Sequence, residues 1–148
     1  MPHKGTVGYE LRTLNNLIGR RMEAYHKSLE AEGTTVMHNW IIGFVASRDG
    51  QEVFQRDVEA EFSITRSTAS NILQLMEKKG FITRVPVEHD ARLKKILLTA
   101  RAREIKANTD RVIDSLEVQL VKGVEPEELQ HFLGTLQKLK KNMEEQAC

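Results

Sequence analysis

Leu11, Leu14, Ile18, Met22, Tyr25 and Leu29 recur at steps of three and four residues, which predicts one amphipathic helix from about Tyr9 to Glu32. Gly33 ends it, since glycine tolerates the left-handed conformation past a helix end. The stripe is long for a single domain, and a second subunit is its natural partner. Thr34 or Thr35 can cap a second helix that runs to about Arg48, with Val36, Trp40, Ile41, Phe44 and Val45 as its buried face. Asp49-Gly50 marks a turn, and a short helix follows from roughly Gln55 to Glu61, packed through Val58 and Phe62. Ala69, Ile72, Leu73 and Met76 then stand at i, i+3, i+4 and i+7, the inward face of a fourth helix. Thr65 is placed to cap it, and Gly80 ends it after Lys78 and Lys79, cations that suit the negative end of a helix.

After Gly80 the period changes. Phe81-Ile82-Thr83-Arg84-Val85 is rich in strand formers, and Pro86 makes that strand short or places it at an edge. Glu88-His89-Asp90-Ala91-Arg92 is a polar tip, and Lys95-Ile96-Leu97-Leu98 reads as the returning strand of a hairpin with a long charged loop. Thr99 can cap a fifth helix from Ala100 to about Val121, striped by Ile105, Val112, Ile113, Leu116 and Leu120. Pro126 opens a last helix among acidic residues, striped by Leu129, Phe132, Leu133, Leu136 and Leu139. The fold class is therefore mainly α with a small β element (α+β).

Composition narrows the function more than the fold. A net charge of +1 conceals an uneven distribution: residues 1–62 carry −2, residues 63–106 carry +6 from 10 basic and 4 acidic side chains, and residues 107–148 carry −3. A basic centre between acidic ends fits a polyanionic partner, or a solvated basic face. A single cysteine among 148 residues excludes a disulfide scaffold. The start, MPHKGTVGYELR, has no apolar signal core, and the longest apolar run, Trp40 to Ala46, is too short to span a membrane. A cytoplasmic location is expected. No phosphate-binding glycine loop, nucleophile elbow or paired-carboxylate motif is present, so no enzymatic activity is expected. The five histidines form no His-x3-His pair, so neither a metal nor another cofactor is expected, although a site assembled from distant residues stays open.

The order of helix, turn, helix with a polar outer face, glycine and basic hairpin is a winged helix-turn-helix. Arg66, Ser67, Ser70, Asn71 and Gln74 offer donors and acceptors to base edges or phosphates. Thr65 and Thr68 read as caps or phosphate contacts at the helix start. Arg84, Lys94 and Lys95 are phosphate candidates. An arginine at the hairpin tip, Arg92, can enter a narrow minor groove. Each also has a plain reading as a solvated polar residue.

At these residues the chain resembles the MarR family of bacterial transcription regulators. The resemblance rests on DARLKKILLT (Asp90 to Thr99), which fits that family's wing signature, and on TASNILQLMEKKGFITR (Thr68 to Arg84), which resembles its recognition helix and first wing strand. TTVMHNWIIGFVA is a looser fit. The resemblance implies six helices and a two-stranded wing in one domain over residues 1–148. Residues 34–99 would form the DNA-binding part, and residues 8–33 and 100–148 would supply dimerisation helices. It implies a homodimer on a pseudo-palindromic double-stranded DNA operator and, commonly, repression released by a small aromatic acid or phenol. It also implies that Asp90 pairs with an arginine and structures the wing. Tyr25, His26, His38, Trp40 and Phe44 lie near where that effector would sit. Trp40 equally reads as a core residue, and His26 and His38 as surface or hydrogen-bonded histidines. Oxidant-sensing members use a cysteine near the chain start, which is missing here, and Cys148 reads as an exposed terminal residue. The alternatives are a winged helix that binds protein rather than DNA, and a regulator with no small-molecule effector.

Overall fold

A computed structural model describes residues 3–145. The elements run α1 (Val7–Arg21), α2 (Glu23–Ala31), α3 (Val36–Ser47), α4 (Gln55–Phe62), α5 (Arg66–Lys78), β1 (Ile82–Val87), β2 (Asp90–Leu98), α6 (Ala100–Leu120) and α7 (Pro126–Glu145). The two strands pair antiparallel, so the chain is the mainly helical, winged helix-turn-helix architecture that the sequence pattern implies. It divides into two compact units between Val112 and Ile113, inside α6.

The first unit is built on one apolar cluster that includes Ile41, Ile42, Val58, Leu73, Met76, Phe81, Ile82, Ile96 and Ile105. Each element reaching it starts or stops on local chemistry. The Thr35, Thr65 and Thr99 hydroxyls accept the amide hydrogens of His38, Thr68 and Ala102, each at 3.2 Å, capping α3, α5 and α6. The Asp57 carboxylate accepts the Phe54 amide at 2.8 Å and fixes the entry to α4. The tight turn between α4 and α5 passes through Ser63, at φ 51°, a left-handed conformation that a side chain adopts at some cost. Gly80, at φ 81°, then turns the chain from α5 into β1. Beyond β1, the Ile96 amide in β2 donates to the Val53 carbonyl at 2.7 Å, so the loop before α4 braces the wing from its other side.

Four expectations change. The predicted first helix is interrupted at Met22, giving seven helices among the described residues rather than six. The Met22 amide is shared between the Ile18 and Gly19 carbonyls, at 3.0 and 3.2 Å, where glycine weakens the helix. The wing is longer and its loop shorter than predicted. β1 runs through Pro86, which sits opposite Lys94 beside a register shift, and β2 begins at Asp90. A proline is tolerated there because it lies at an irregular point of a two-stranded ribbon. Trp40 is not in the core but 60% exposed. The buried positions of α3 are His38, Asn39, Ile41, Ile42, Phe44 and Val45, a broad arc that leaves Trp40, at about 100° per residue, on the opposite side. His38, expected at the surface or hydrogen-bonded, is buried. Cys148 lies outside the described residues.

In the second unit, α7 buries none of its residues, and Phe132 and Leu133 are exposed. In the first, α1 likewise buries none, with Val7, Leu11, Leu14 and Leu17 exposed. Among the described residues no helix is long and apolar enough to cross a membrane.

Leu73 is completely buried at the centre of the first unit's cluster. Leu73→Ala is expected to cost about 2–5 kcal/mol, the range for a truncated core leucine. Denaturant unfolding followed by circular dichroism measures it, and a loss well under 1 kcal/mol would place the core elsewhere.

Candidate nucleic-acid interface

α5 divides cleanly into two faces. Ala69, Leu73 and Met76 are buried, while Arg66, Ser67, Thr68, Asn71 and Gln74 are exposed and Ser70 is half-buried. Thr65 is occupied by its own helix: its hydroxyl accepts the Thr68 amide and donates to the Thr68 hydroxyl at 2.9 Å. The Gln55 side-chain amide donates to the Arg66 carbonyl at 3.3 Å, tying the first turn of α4 to that of α5. The exposed residues thus present donors and acceptors from a helix whose opposite side is locked in the core.

The wing is braced by ion pairs at its base. Arg84 Nε lies 2.7 Å from the Glu77 carboxylate, joining β1 to the last turn of α5. Lys95 lies 3.8 Å from Glu52, joining β2 to the loop before α4. The structure therefore places Arg84 and Lys95 against acidic neighbours, whereas Lys94 is exposed. At the tip, the Asp90 carboxylate accepts the Arg92 amide at 2.9 Å, closing a local turn of the kind aspartate favours. Its carboxylate is 3.9 Å from Arg92 Nε, yet the Arg92 side chain is 97% exposed. A pair so open to water adds little stability, so its main effect is on the shape of the tip.

Away from these groups, a cavity of about 340 Å³ opens between α2 and the first half of α6, lined by Tyr25, Ser28, Leu29, Glu32, Ile105, Asn108, Arg111 and Val112. Of the five residues expected to line an effector site, Tyr25 is on its wall. His26 is half-buried nearby, Trp40 is exposed, and His38 and Phe44 are in the core; none of these four lines the cavity. The Tyr25 hydroxyl is hydrogen-bonded to the Thr109 hydroxyl, which also donates to the Asn39 side-chain oxygen at 3.1 Å. Asn39 in turn donates to the Thr35 carbonyl at 2.9 Å. A polar chain thus runs from the cavity wall to the start of α3. Burial, more than any neighbouring charge, raises the Tyr25 pKa, so the phenol is neutral at physiological pH. Sequence reasoning missed Asn39, Asn108, Thr109 and Arg111, because contacts between residues about 70 positions apart leave no local signature. Among the described residues no group of three His, Cys, Asp or Glu side chains gathers to hold a metal ion.

Residues 32–93 match the model of the MarR family. The chain is similar to the transcription regulator MarR from Oenococcus oeni PSU-1, with 29% identity over 92% of this chain and 99% of that one, at a TM-score of 0.72. It is similar in fold to S. aureus MepR in a MepR–DNA complex, with 23% identity over 94% of this chain and 99% of that one, at a TM-score of 0.79. A third likeness is to the heme sensor protein PefR from Streptococcus agalactiae in complex with heme, with 24% identity over 94% of this chain and 95% of that one, at a TM-score of 0.65.

His38 offers a check on how the core meets the interface helix. It is 4% exposed, its ring lies 6.1 Å from that of Phe81, and its Nδ1 is buried without a hydrogen-bond partner. Burial, and then the nearby Lys79 charge, lowers its pKa, so it is neutral in the folded chain. As pH falls through the ordinary histidine range, near 6.5, the unfolded chain takes up the proton first and folding stability drops. Between pH 7.5 and 5 the protein is expected to lose more stability than His38→Leu, by up to about 1.4 kcal/mol per pH unit. Parallel pH profiles from denaturant unfolding would show that His38 is protonated as readily in the fold as outside it.

Proposed function

We propose that the chain, whose residues 32–93 match the MarR family model, is a homodimeric, sequence-specific DNA-binding transcription regulator. The observation that carries this reading is the division of α5 into a buried apolar face and an exposed face of Arg66, Ser67, Asn71 and Gln74, followed by a wing tipped with a nearly fully exposed Arg92. An outer face with these side chains matches the donor and acceptor pattern of a major groove. Arg92 suits the negative potential of a narrow minor groove. Ser70, Thr68 and Lys94 join them as base or phosphate contacts. Thr65 shapes the start of α5, Asp90 shapes the wing tip, and Arg84 and Lys95 hold the wing at its base. No step in this function calls for catalysis.

The apolar faces of α1 and α7 support dimerisation, since an amphipathic helix derives most of its stability from packing. Residues 34–99 then read DNA, and residues 8–33 and 100–148 join two copies. A two-fold dimer sets its α5 helices on half-sites about 34–36 Å apart, one helical turn of a pseudo-palindromic operator. The cavity beside Tyr25 supports release of a repressor by a small effector. Its mixed lining of Leu29, Ile105 and Val112 with Ser28, Asn108 and Arg111 suits an aromatic acid or phenol. At about 340 Å³ it is near the lower end of small-molecule sites, far from roomy for a macrocycle such as heme.

Fluorescence anisotropy with DNA from beside the protein's own gene, over a range of salt and with nonspecific competitor, tests the reading. Competitor-resistant binding with a steep salt slope is expected. Arg92→Ala should weaken it by about 1–3 kcal/mol. A charged residue at Leu133 or Leu136 should abolish dimerisation in sedimentation measurements, and binding to a two-half-site duplex with it. Absence of binding even at low salt would favour a winged helix that docks on protein.

A further inference from the structure

Two cations hold the C-terminal end of α2. Arg101, in the first turn of α6, donates from Nη2 to the Glu32 carbonyl at 2.7 Å and from Nη1 to the Lys79 carbonyl at 3.0 Å. Lys79 caps the end of α5, and its own Nζ donates to the Gly33 carbonyl at 2.7 Å. The Arg101 guanidinium lies 4.8 Å over the ring of Phe81, which is completely buried. Carbonyls at a helix end have no partner within the helix and carry its negative pole, so cations there are favourable. Arg101 satisfies two such ends with one planar fork, a geometry that lysine cannot reproduce.

This clamp has a position that a stabilising surface contact would not need. Glu32 belongs to the same turn of chain as Ser28 and Leu29, and all three line the cavity. Lys79 ends the helix whose outer face is the proposed DNA reader. Among the described residues no backbone hydrogen bond joins α2 to α5. The apolar contacts of Leu29 with the core are non-directional and do not fix the register of one helix end against the other. The directional ties are those made by Arg101 and Lys79.

We infer that Arg101 and Lys79 are positioning residues that couple the cavity wall to the recognition helix. Displacement of the Ser28–Glu32 turn by an occupant of the cavity is passed through the Glu32 and Gly33 carbonyls to the end of α5, which changes the angle at which α5 meets DNA. This rests on the DNA-binding reading of α5 given above.

The inference is tested without an identified effector. Ser28 is exposed at the cavity, so Ser28→Phe places a ring in the cavity in the effector's stead. Operator affinity is measured by anisotropy for the wild type, for Ser28→Phe, for the clamp-less Lys79→Met/Arg101→Gln protein, and for the combination. In the wild-type background Ser28→Phe should change affinity by about fivefold or more, as couplings between sites do. In the clamp-less background the change should fall below about twofold, the scatter of independent sites. Equal changes in both backgrounds overturn the inference, as does no change in the wild-type background. Thermal melts establish that each variant is folded. Arg101→Gln alone replaces the double substitution, and Asn108→Phe replaces Ser28→Phe, should either unfold. Arg101→Gln alone also replaces the double substitution should the folded clamp-less protein no longer bind operator, since removing two cations weakens binding to a polyanion by itself. A wild type that binds no DNA overturns the reading on which the inference rests, and is told apart because it fails before any substitution is made.

Discussion

The constraint on which this structure depends is that α5 must be dry on one side and wet on the other. Ala69, Leu73 and Met76 are fully buried, while residues one position away, Thr68 and Gln74 among them, are exposed. Burying an aliphatic side chain contributes about 1.5–3 kcal/mol, so these residues fix the rotation of α5 about its own axis. Rotation by a single residue would put Gln74 into the core without a hydrogen-bond partner and Leu73 into water, both unfavourable. The reading face is therefore specified by the core, and the polar residues need contribute nothing to folding. That leaves them open to variation for recognition.

Rotation is not the whole of the geometry. The start of α5 is set by the Thr65 cap and by the Gln55 bond to the Arg66 carbonyl. Its end is set by charge: Glu77 holds Arg84 of the wing, and Arg101 and Lys79 bind the carbonyls at the ends of α5 and α2. These are single hydrogen bonds or ion pairs, half-buried or exposed, and each contributes less than the packed core as a whole. Core packing thus fixes the rotation of α5, while the end contacts set where its end lies. A helix held this way keeps its identity while its tilt responds to neighbours. This division suits the proposed role, in which α5 would bind DNA in one condition and release it in another.

The parts of this arrangement that follow from local chemistry were legible in the sequence. The three threonine caps, the glycine after α5, the i, i+3, i+4, i+7 stripe and the hairpin with Arg92 at its tip all declare themselves within a few residues. What escaped depended on distance or on the breadth of a buried face. Helical spacing with Val36 and Phe44 points Trp40 inward, but the buried arc is centred elsewhere. α3 is covered across more than half its circumference, and only Trp40 and Ser47 are exposed. His38 and Asn39 look like surface residues by type, yet the same coverage buries them. The Asn39–Thr109 bond and the Arg101 clamp join residues far apart in the chain, so neither periodicity nor motif could foretell them. The wing outruns Phe81–Val85 because, of the two alternatives that Pro86 leaves, a short strand or one at an edge, the two-stranded ribbon takes the second.

The bare stripes on α1 and α7 complete the argument about what kind of object this chain is. α1 is 15 residues long and α7 is 20, and neither buries a residue. Most of the stability of a helix in a protein comes from packing of its amphipathic face. Yet both carry apolar side chains at regular spacing, and a surface that leaves Leu11, Leu14, Leu17, Phe132 and Leu133 exposed is not that of a chain finished on its own. If a second copy covers them, the helices become stable only when the two reading heads are joined. Folding of these arms and formation of a two-fold DNA-binding surface are then one event. Affinity for a two-half-site operator would depend on protein concentration as well as on salt, because the second reading head is present only where the dimer is.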